Sequence, residues 1–364
     1  MKIARLDAIP LRIPFSTGAT ATRSGGQDWK TLEIVLVRAE ADDGIVGWGE
    51  AFSYSCIAPV VAAVETMVAP LIVGREINDI ATIMRTLQYN LHLFGRYGIT
   101  MFALSGLDMA LWDIAAKRLD MPLGKFIDGG ARTGTLEGYA SLYNYGDPAM
   151  VATKCREALD QGYRVIKLHE TTEPAVAAAR DAIGPDIPLT VDTNCPWTPE
   201  EARAMALRFK PHDLLWLEEP IFPPEDFTAL AALQKDVGIA LAAGENACTA
   251  YQFAAMLATE AVTYVQPSVT KVGGITEFLK VADLVAAKGV KLMPHSPYLG
   301  PGFLATLHLI AALPDSGYVE RLFIDVEASL YGDLIDPVAG RFRVPEAPGI
   351  GPDPDPDVIR DYRV

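Results

Sequence analysis

The chain has 364 residues, half of them hydrophobic and 21% charged, which is enough to bury the core of one large domain and a smaller one. Its formal net charge of −15 argues against nucleic acid or an anionic membrane as partner, and suits a small anionic substrate only if a cation supplies the local positive field. Four scattered cysteines with no C-x-x-C pair, no long apolar stretch behind the N-terminal charges, and no run of about 18 apolar residues predict a reduced, cytoplasmic protein that does not span a membrane.

The first third reads as α+β. Residues 3–13 alternate apolar and polar as a strand does, and 32–39 and 45–51 are two further strand candidates joined by the turn Asp42-Asp43-Gly44. Residues 16–27 (STGATATRSGGQ) are small, polar and Gly-rich, and predict a mobile loop of the kind that covers active sites. Helical stretches follow at 59–70, 79–91 and 99–119. From residue 139 the pattern changes to eight short apolar runs, at 139–142, 165–168, 189–191, 214–217, 239–242, 263–265, 290–293 and 318–319. Ala-rich helical segments such as 200–209 and 278–287 separate them. Eight βα units predict an α/β fold, a (β/α)8 TIM-like barrel with its helices outside. A doubly wound open sheet would bring a Gly-rich phosphate turn after its first strand, and none is present.

Polar residues sit where these runs end. Lys167 and His169 close the second run, Asp192 the third, Glu218 the fourth and Glu245 the fifth. Ser268, His295 and Glu320 follow the sixth, seventh and eighth. In a barrel this regular spacing points them all into one mouth, where barrel enzymes keep their chemistry. Three carboxylates meeting on successive strands would repel one another and would be relieved by a divalent cation. An all-oxygen ligand set suits Mg²⁺ with positions left for substrate. The structural alternative is that each carboxylate pairs with a basic neighbour.

Lys167 and His169, two apart on a strand, share a face. Either could take a proton from a carbon acid, with Lys167 expected to have a lowered pKa beside a metal. The structural alternative is an ion pair between Lys167 and Asp192. His295, in KLMPHSPYLGPG, is placed to act as an acid from the opposite side. Glu320 could hold a protonated partner, hydrogen-bond a substrate carboxylate oxygen, or simply pair with Arg321 or another basic group.

At these residues the chain resembles the enolase superfamily, and within it the mandelate racemase/muconate lactonizing enzyme group. The match runs essentially end to end. GIVGWGEA (44–51) and ALSGLDMALWDIAAKRLDMPLGKFIDGG (103–130) look like that family's capping domain and entry to the barrel. VDTN, WLEEP, AAGEN and the Lys-Val-Gly-Gly ending at Gly274 match its strand-end motifs, and PEAPGIG (345–351) resembles its return to the cap. The resemblance implies an N-terminal α+β capping domain over 1–125, the barrel over 126–325, and a C-terminal segment, 326–364, completing the cap. It implies that Asp192, Glu218 and Glu245 ligate Mg²⁺, with Glu219 behind them. Lys167, His169, His295 and Glu320 become the acid/base and electrophilic residues.

Two departures stand out. The family often has Lys-x-Lys on the second strand, where this chain has Lys167-Leu168-His169. Racemase-like members carry an Asp on the sixth strand that pairs with the seventh-strand His, and lactonizing members a Lys. This chain has Ser268, and Lys271, three residues on, is not expected to replace either.

The expected reaction begins with removal of the proton next to a substrate carboxylate, giving an enediolate. Dehydration of a hydroxy or sugar acid to a 2-keto acid is the favoured outcome. Racemisation or epimerisation of a hydroxy acid or amino acid derivative is the alternative, and a catalytically idle metal- or metabolite-binding barrel is the reading of a different class. Tyr54, Ser141, Tyr143, Asn194 and Ser268 are the expected substrate contacts, with Asn144 beside them. The expected partner is a small carboxylate substrate, with no nucleic acid and no membrane, and the chain is expected to form a homo-oligomer.

Overall fold

The computed structural model describes residues 1–19, 23–24, 27–313 and 316–364. In the first third, the long strands β1 (Ile3–Ser16) and β4 (Thr31–Ala41) flank two short ones, β2 (Arg23–Ser24) and β3 (Gln27–Asp28), which pair with each other. Those two strands lie inside the expected loop at 16–27. Its residues 20–22 and 25–26 lie outside the described residues. β4 continues through the Gly44 turn into β5 (Val46–Ala51), as expected, with Gly44 at φ 85°.

β4 shows how the sequence dictates a two-sided sheet. Leu32, Ile34 and Leu36 join the core shared with the barrel, while Val35, Val37 and Ala39 join a second core under the cap helices. Successive side chains alternate faces, so a strand buried on both reads as a nearly continuous apolar run. The cap helices are α1 (Ile57–Ala62), which passes through a π-helical turn (Ala63–Val68) into α2 (Ala69–Ile72), then α3 (Ile80–Asn90) and α4 (Ile99–Arg118). α4 lies directly on β5. A Cβ on Gly47 or Gly49 would collide with the backbone carbonyl of Ala110 or Gly106, so only glycine permits this approach.

α4 corrects one expectation. By length and hydropathy it could cross a membrane, yet 83% of its apolar window is buried inside the protein. Its two buried carboxylates explain why: they bind other parts of this chain. Asp108 accepts from Thr276 N at 2.9 Å, and Asp113 accepts from Trp48 N at 2.9 Å and Ile350 N at 2.7 Å.

After α5 (Leu123–Ile127) come eight parallel strands in sequence order: β6 (Thr135–Ser141), β7 (Ile166–Leu168), β8 (Leu189–Asp192), β9 (Leu214–Glu218), β10 (Leu241–Ala243), β11 (Tyr264–Val265), β12 (Lys291–Leu292) and β13 (Val319–Leu322). All eight expected runs are present. β13 pairs back onto β6, and a parallel bridge between Leu292 and Ser316 closes the ring at β12. Between the strands run α6 (Pro148–Asp160), α7 (Glu173–Ile183), α8 (Pro199–Phe209), α9 (Phe227–Val237), α10 (Thr249–Ala258), α11 (Gly274–Lys288) and α12 (Pro301–Ala312). The interior below the site is filled by Tyr139, Val165, Trp216, Ala242 and Met293. The chain is therefore a TIM-like barrel with an α+β capping region.

The C-terminal segment returns across the cap. β14 (Asp325–Val326) pairs with β1, β15 (Arg341–Arg343) pairs with β6, and α13 (Pro356–Tyr362) leads to a bridge between Arg363 and Leu11. Two buried cap carboxylates sit at barrel-helix N-termini, where exposed N–H groups and the helix dipole favour negative charge. Asp108 meets the first turn of α11, and Glu50 accepts from Gly302 N of α12 at 2.9 Å.

Candidate active site

The strand ends of the barrel converge under the cap. Asp192 ends β8, Glu218 ends β9, and Glu245 lies two residues past β10. One oxygen from each lies within 4.8 Å of the others. Their orientation is fixed by second partners. Asn194 N donates to Asp192 Oδ1 at 2.9 Å, because the chain turns left-handed at Asn194 (φ 52°) and Cys195 (φ 55°). Trp216 Nε1 donates to Glu218 Oε2 at 2.9 Å from within the barrel. Glu245 Oε2 receives His295 Nε2 at 2.6 Å.

Lys167 is fully buried beneath this group. Its ammonium lies 3.0 Å from Asp192 Oδ2, 2.7 Å from Glu218 Oε1 and 3.1 Å from Glu320 Oε1. Burial pulls its pKa down, but the three carboxylates outweigh burial and the net shift is well upward. This is opposite to the expected lowering, which assumed a metal already sharing those charges. Asp192 is held low, because Lys167 and His169 overcome its burial. Glu218 is pushed up by burial and by Asp192 and Glu320, against Lys167, and Glu219 is pushed well up by burial and by Glu245 and Asp192. Five carboxylates thus share too few cations. An all-oxygen set this close, each member steered by a further hydrogen bond, fits a small hard dication.

The two histidines differ in tautomer. His169 Nδ1 lies 2.6 Å from Leu142 O, and a carbonyl only accepts, so the proton sits on Nδ1. In the neutral ring Nε2 then keeps its lone pair, 3.4 Å from Asp192 Oδ2. His295 has the reverse arrangement. Its Nε2 donates to the Glu245 carboxylate, and Nδ1 lies 3.2 Å from Tyr298 Oη. Tyr298 in turn bonds to Ser268 Oγ. The place of a carboxylate partner for this histidine is taken by a phenol.

A cavity of about 630 Å³ opens over these groups, bordered by His169, Asn194, Glu245, His295 and Glu320 below and by Tyr54, Tyr143 and Asn144 above. Of the expected substrate contacts, Tyr54, Tyr143 and Asn194 border it. Ser141 and Ser268 do not. Both are fully buried and face inward below the rim, Ser141 donating to Glu320 Oε1 at 2.9 Å and Ser268 bonding Tyr298. The basic group that Glu320 pairs with is Lys167 and not Arg321, which bonds Asp336 at 3.2 Å. The second oxygen of Glu320 accepts from Ser296 N at 3.1 Å. Lys167 contacts both Asp192 and Glu320, and His169 lies beside Asp192, so three of the four expected acid/base and electrophilic residues form one cluster, while His295 stands on Glu245.

Sequence reasoning set Lys271 aside and missed Tyr298 and Trp29. Lys271 lies three residues beyond Ser268, where strand alternation no longer applies. In the fold it borders the cavity, 3.3 Å from Asn246 Oδ1 and 4.7 Å over the Phe52 ring. Tyr298 and Trp29 lie on loops, where periodicity carries no signal.

Comparison with known proteins agrees with this architecture. Residues 5–128 match the mandelate racemase / muconate lactonizing enzyme N-terminal domain, and residues 150–358 match the enolase C-terminal domain-like family. Arabinonate dehydratase of Saccharolobus solfataricus is 30% identical over 333 residues, spanning 88% of each chain. The 3,6-anhydro-alpha-L-galactonate cycloisomerase of Streptomyces coelicolor is 30% identical over 351 residues, spanning 93% of each. Among solved structures, a racemase from Streptomyces coelicolor A3(2) with bound magnesium superposes with a TM-score of 0.89, at 29% identity and with all of both chains covered. The chain belongs to the enolase superfamily, in its mandelate racemase/muconate lactonizing enzyme group, and is an enzyme of that superfamily.

Proposed function

We propose that the protein is a Mg²⁺-dependent enzyme that removes the α-proton of a small hydroxy or sugar acid and expels a β-hydroxyl to give a 2-keto acid. The observation that carries this is a pair of histidines on one cavity held by opposite ring nitrogens: His169 by Nδ1 to Leu142 O, which leaves Nε2 as the nitrogen that gains or loses a proton, and His295 by Nε2 to Glu245. Asp192, Glu218 and Glu245 would hold the ion. Bound there, Mg²⁺ would supply a Lewis acid for the substrate carboxylate and offset the negative charge that now keeps Lys167 and His169 protonated.

The residues divide the work by position. His169 borders the cavity and its Nε2 takes the α-proton, while the C–H electron pair moves toward the carboxylate. Lys167 is walled off from the cavity by its three carboxylates, so it serves better as a fixed positive charge than as the base. His295 then delivers its Nε2 proton to the departing β-hydroxyl, which leaves as water. The enol that remains tautomerises to the 2-keto acid. Glu320, ionised because Lys167, His295 and His169 outweigh its burial, positions Lys167. The four cysteines are free, which suits a reducing cytoplasm.

The test is α-proton exchange in D₂O with Mg²⁺ across hydroxy and sugar acids, followed by NMR, with 2-keto acid assayed in parallel. Exchange with keto-acid formation, both lost in His169→Ala, supports the proposal. Exchange with inversion and no keto acid makes the enzyme an epimerase. No exchange by any acid, with Mg²⁺ still bound, overturns the catalytic reading in favour of a binding protein.

A further inference from the structure

The upper half of the cavity differs in kind from the lower. Opposite the histidines and carboxylates stands a connected aromatic wall. Trp29 lies 5.0 Å from Tyr54 and 5.9 Å from Tyr143, centroid to centroid, and Tyr54 lies 5.0 Å from Phe52. All four border the cavity. The wall is held from behind. Phe15 packs edge-on against Trp29 at 5.1 Å, and Phe102 against Phe52 at 5.1 Å. Tyr54 Oη donates to Pro297 O at 2.9 Å, which fixes its ring against the loop that carries His295. The wall is therefore built before substrate arrives, and with its backing it joins four chain segments of the cap region to the barrel loop after β6.

We propose that the substrate is a cyclic acid whose ring lies with its C–H face against Trp29 and Tyr54 while its carboxylate points to the Asp192–Glu245 pole; this rests on the reading of that pole as the reaction centre. An open polyol chain carries hydroxyls on every side. Pressing it against the Trp29 and Tyr54 rings strips water from the hydroxyls that face them. A small saturated ring gathers C–H bonds on one face and its polar groups on edge and opposite face. Such a ring satisfies an aromatic surface and a polar floor at once. The cavity thus selects by shape of polarity and not only by size.

The experiment uses the full chain with Mg²⁺ and two probes with the same number of carbons, tetrahydropyran-2-carboxylate and D-gluconate. The ring acid lacks a β-hydroxyl, so it binds without elimination. Binding is measured by calorimetry and by saturation transfer from aromatic protons to ligand. The ring acid is expected to bind about tenfold more tightly than gluconate, with the strongest transfer to its ring protons. Trp29→Leu should erase most of that preference, weakening the ring acid far more than gluconate. Equal or tighter binding of gluconate by the unaltered protein overturns the proposal without needing a variant that folds. So does a preference that survives in a folded Trp29→Leu protein. Exchange of the ring acid's α-proton in D₂O reports separately on the reaction centre. Tight ring binding without exchange rejects the catalytic reading and keeps the ring, and exchange of gluconate with weak ring binding does the reverse.

Discussion

Tyr298→Phe isolates the feature in which this site departs most from its family. The substitution removes one oxygen and keeps the ring, which packs 6.4 Å from Phe52 and 6.3 Å from Tyr54. What is lost is the contact to His295 Nδ1 at 3.2 Å and the bond to Ser268, whose hydroxyl keeps only a long contact to Thr270 at 3.5 Å. A net neutral hydrogen bond is worth ~1 kcal/mol, and leaving a buried partner unsatisfied costs about the same again. If His295 needs this bond to present its Nε2 proton, turnover should fall about tenfold. Proton removal from the His169 side should not fall. The assay is therefore a pair of rates on one substrate, α-proton exchange in D₂O and 2-keto acid formation, with KM for each. The expected result is a drop in keto-acid formation with exchange and KM preserved. A parallel loss of both rates would show that Tyr298 merely supports the fold. No loss in either would show that His295 is not oriented by Tyr298, and the division of roles between the two histidines would be wrong.

Two further predictions concern the cap. Burial lifts Glu50 to about 7, against its bond from Gly302 N. An acid whose folded pKa is raised binds its proton more tightly when folded, so stability declines from pH 4.5 up to about pH 7 and is constant above. Glu50→Gln, which keeps an acceptor for Gly302 N, should be more stable than the parent at pH 8, by up to ~3 kcal/mol, and indistinguishable near pH 4. Thermal unfolding at both pH values checks this, and a difference independent of pH would contradict it. Gly49→Ala places a methyl against the carbonyl of Gly106 and should cost about 2 kcal/mol or more, lowering Tm. Gly129→Ala, whose Cβ meets nothing within 4 Å, is the control and should leave Tm unchanged.

The parts of this site that could be read from sequence are those governed by a period. Each of the eight runs became a strand, and the recurrence of Lys167, Asp192, Glu218, Glu245, His295 and Glu320 at their ends placed them in one mouth because a barrel aligns strand ends on one rim. Period gives direction but not depth. Ser141 and Ser268 point inward as alternation requires, yet do not border the cavity and bond Glu320 and Tyr298. Lys271, Tyr298 and Trp29 lie outside the strands, and only the folded loops bring Lys271 and Trp29 to the cavity and Tyr298 to His295. The buried acids Glu50, Asp108 and Asp113 also escaped notice. A carboxylate inside a core is ordinary only when backbone N–H groups from distant segments meet it, as those of Gly302, Thr276 and Ile350 do.

The most direct measurement is anomalous scattering from a crystal of the protein soaked in Mn²⁺, standing in for Mg²⁺. A single strong peak bonded to Asp192, Glu218 and Glu245, absent from a Glu218→Gln crystal, is the predicted result. A peak bound elsewhere, or none while Lys167 keeps all three of its carboxylate contacts, would contradict the assignment of these residues as a metal centre.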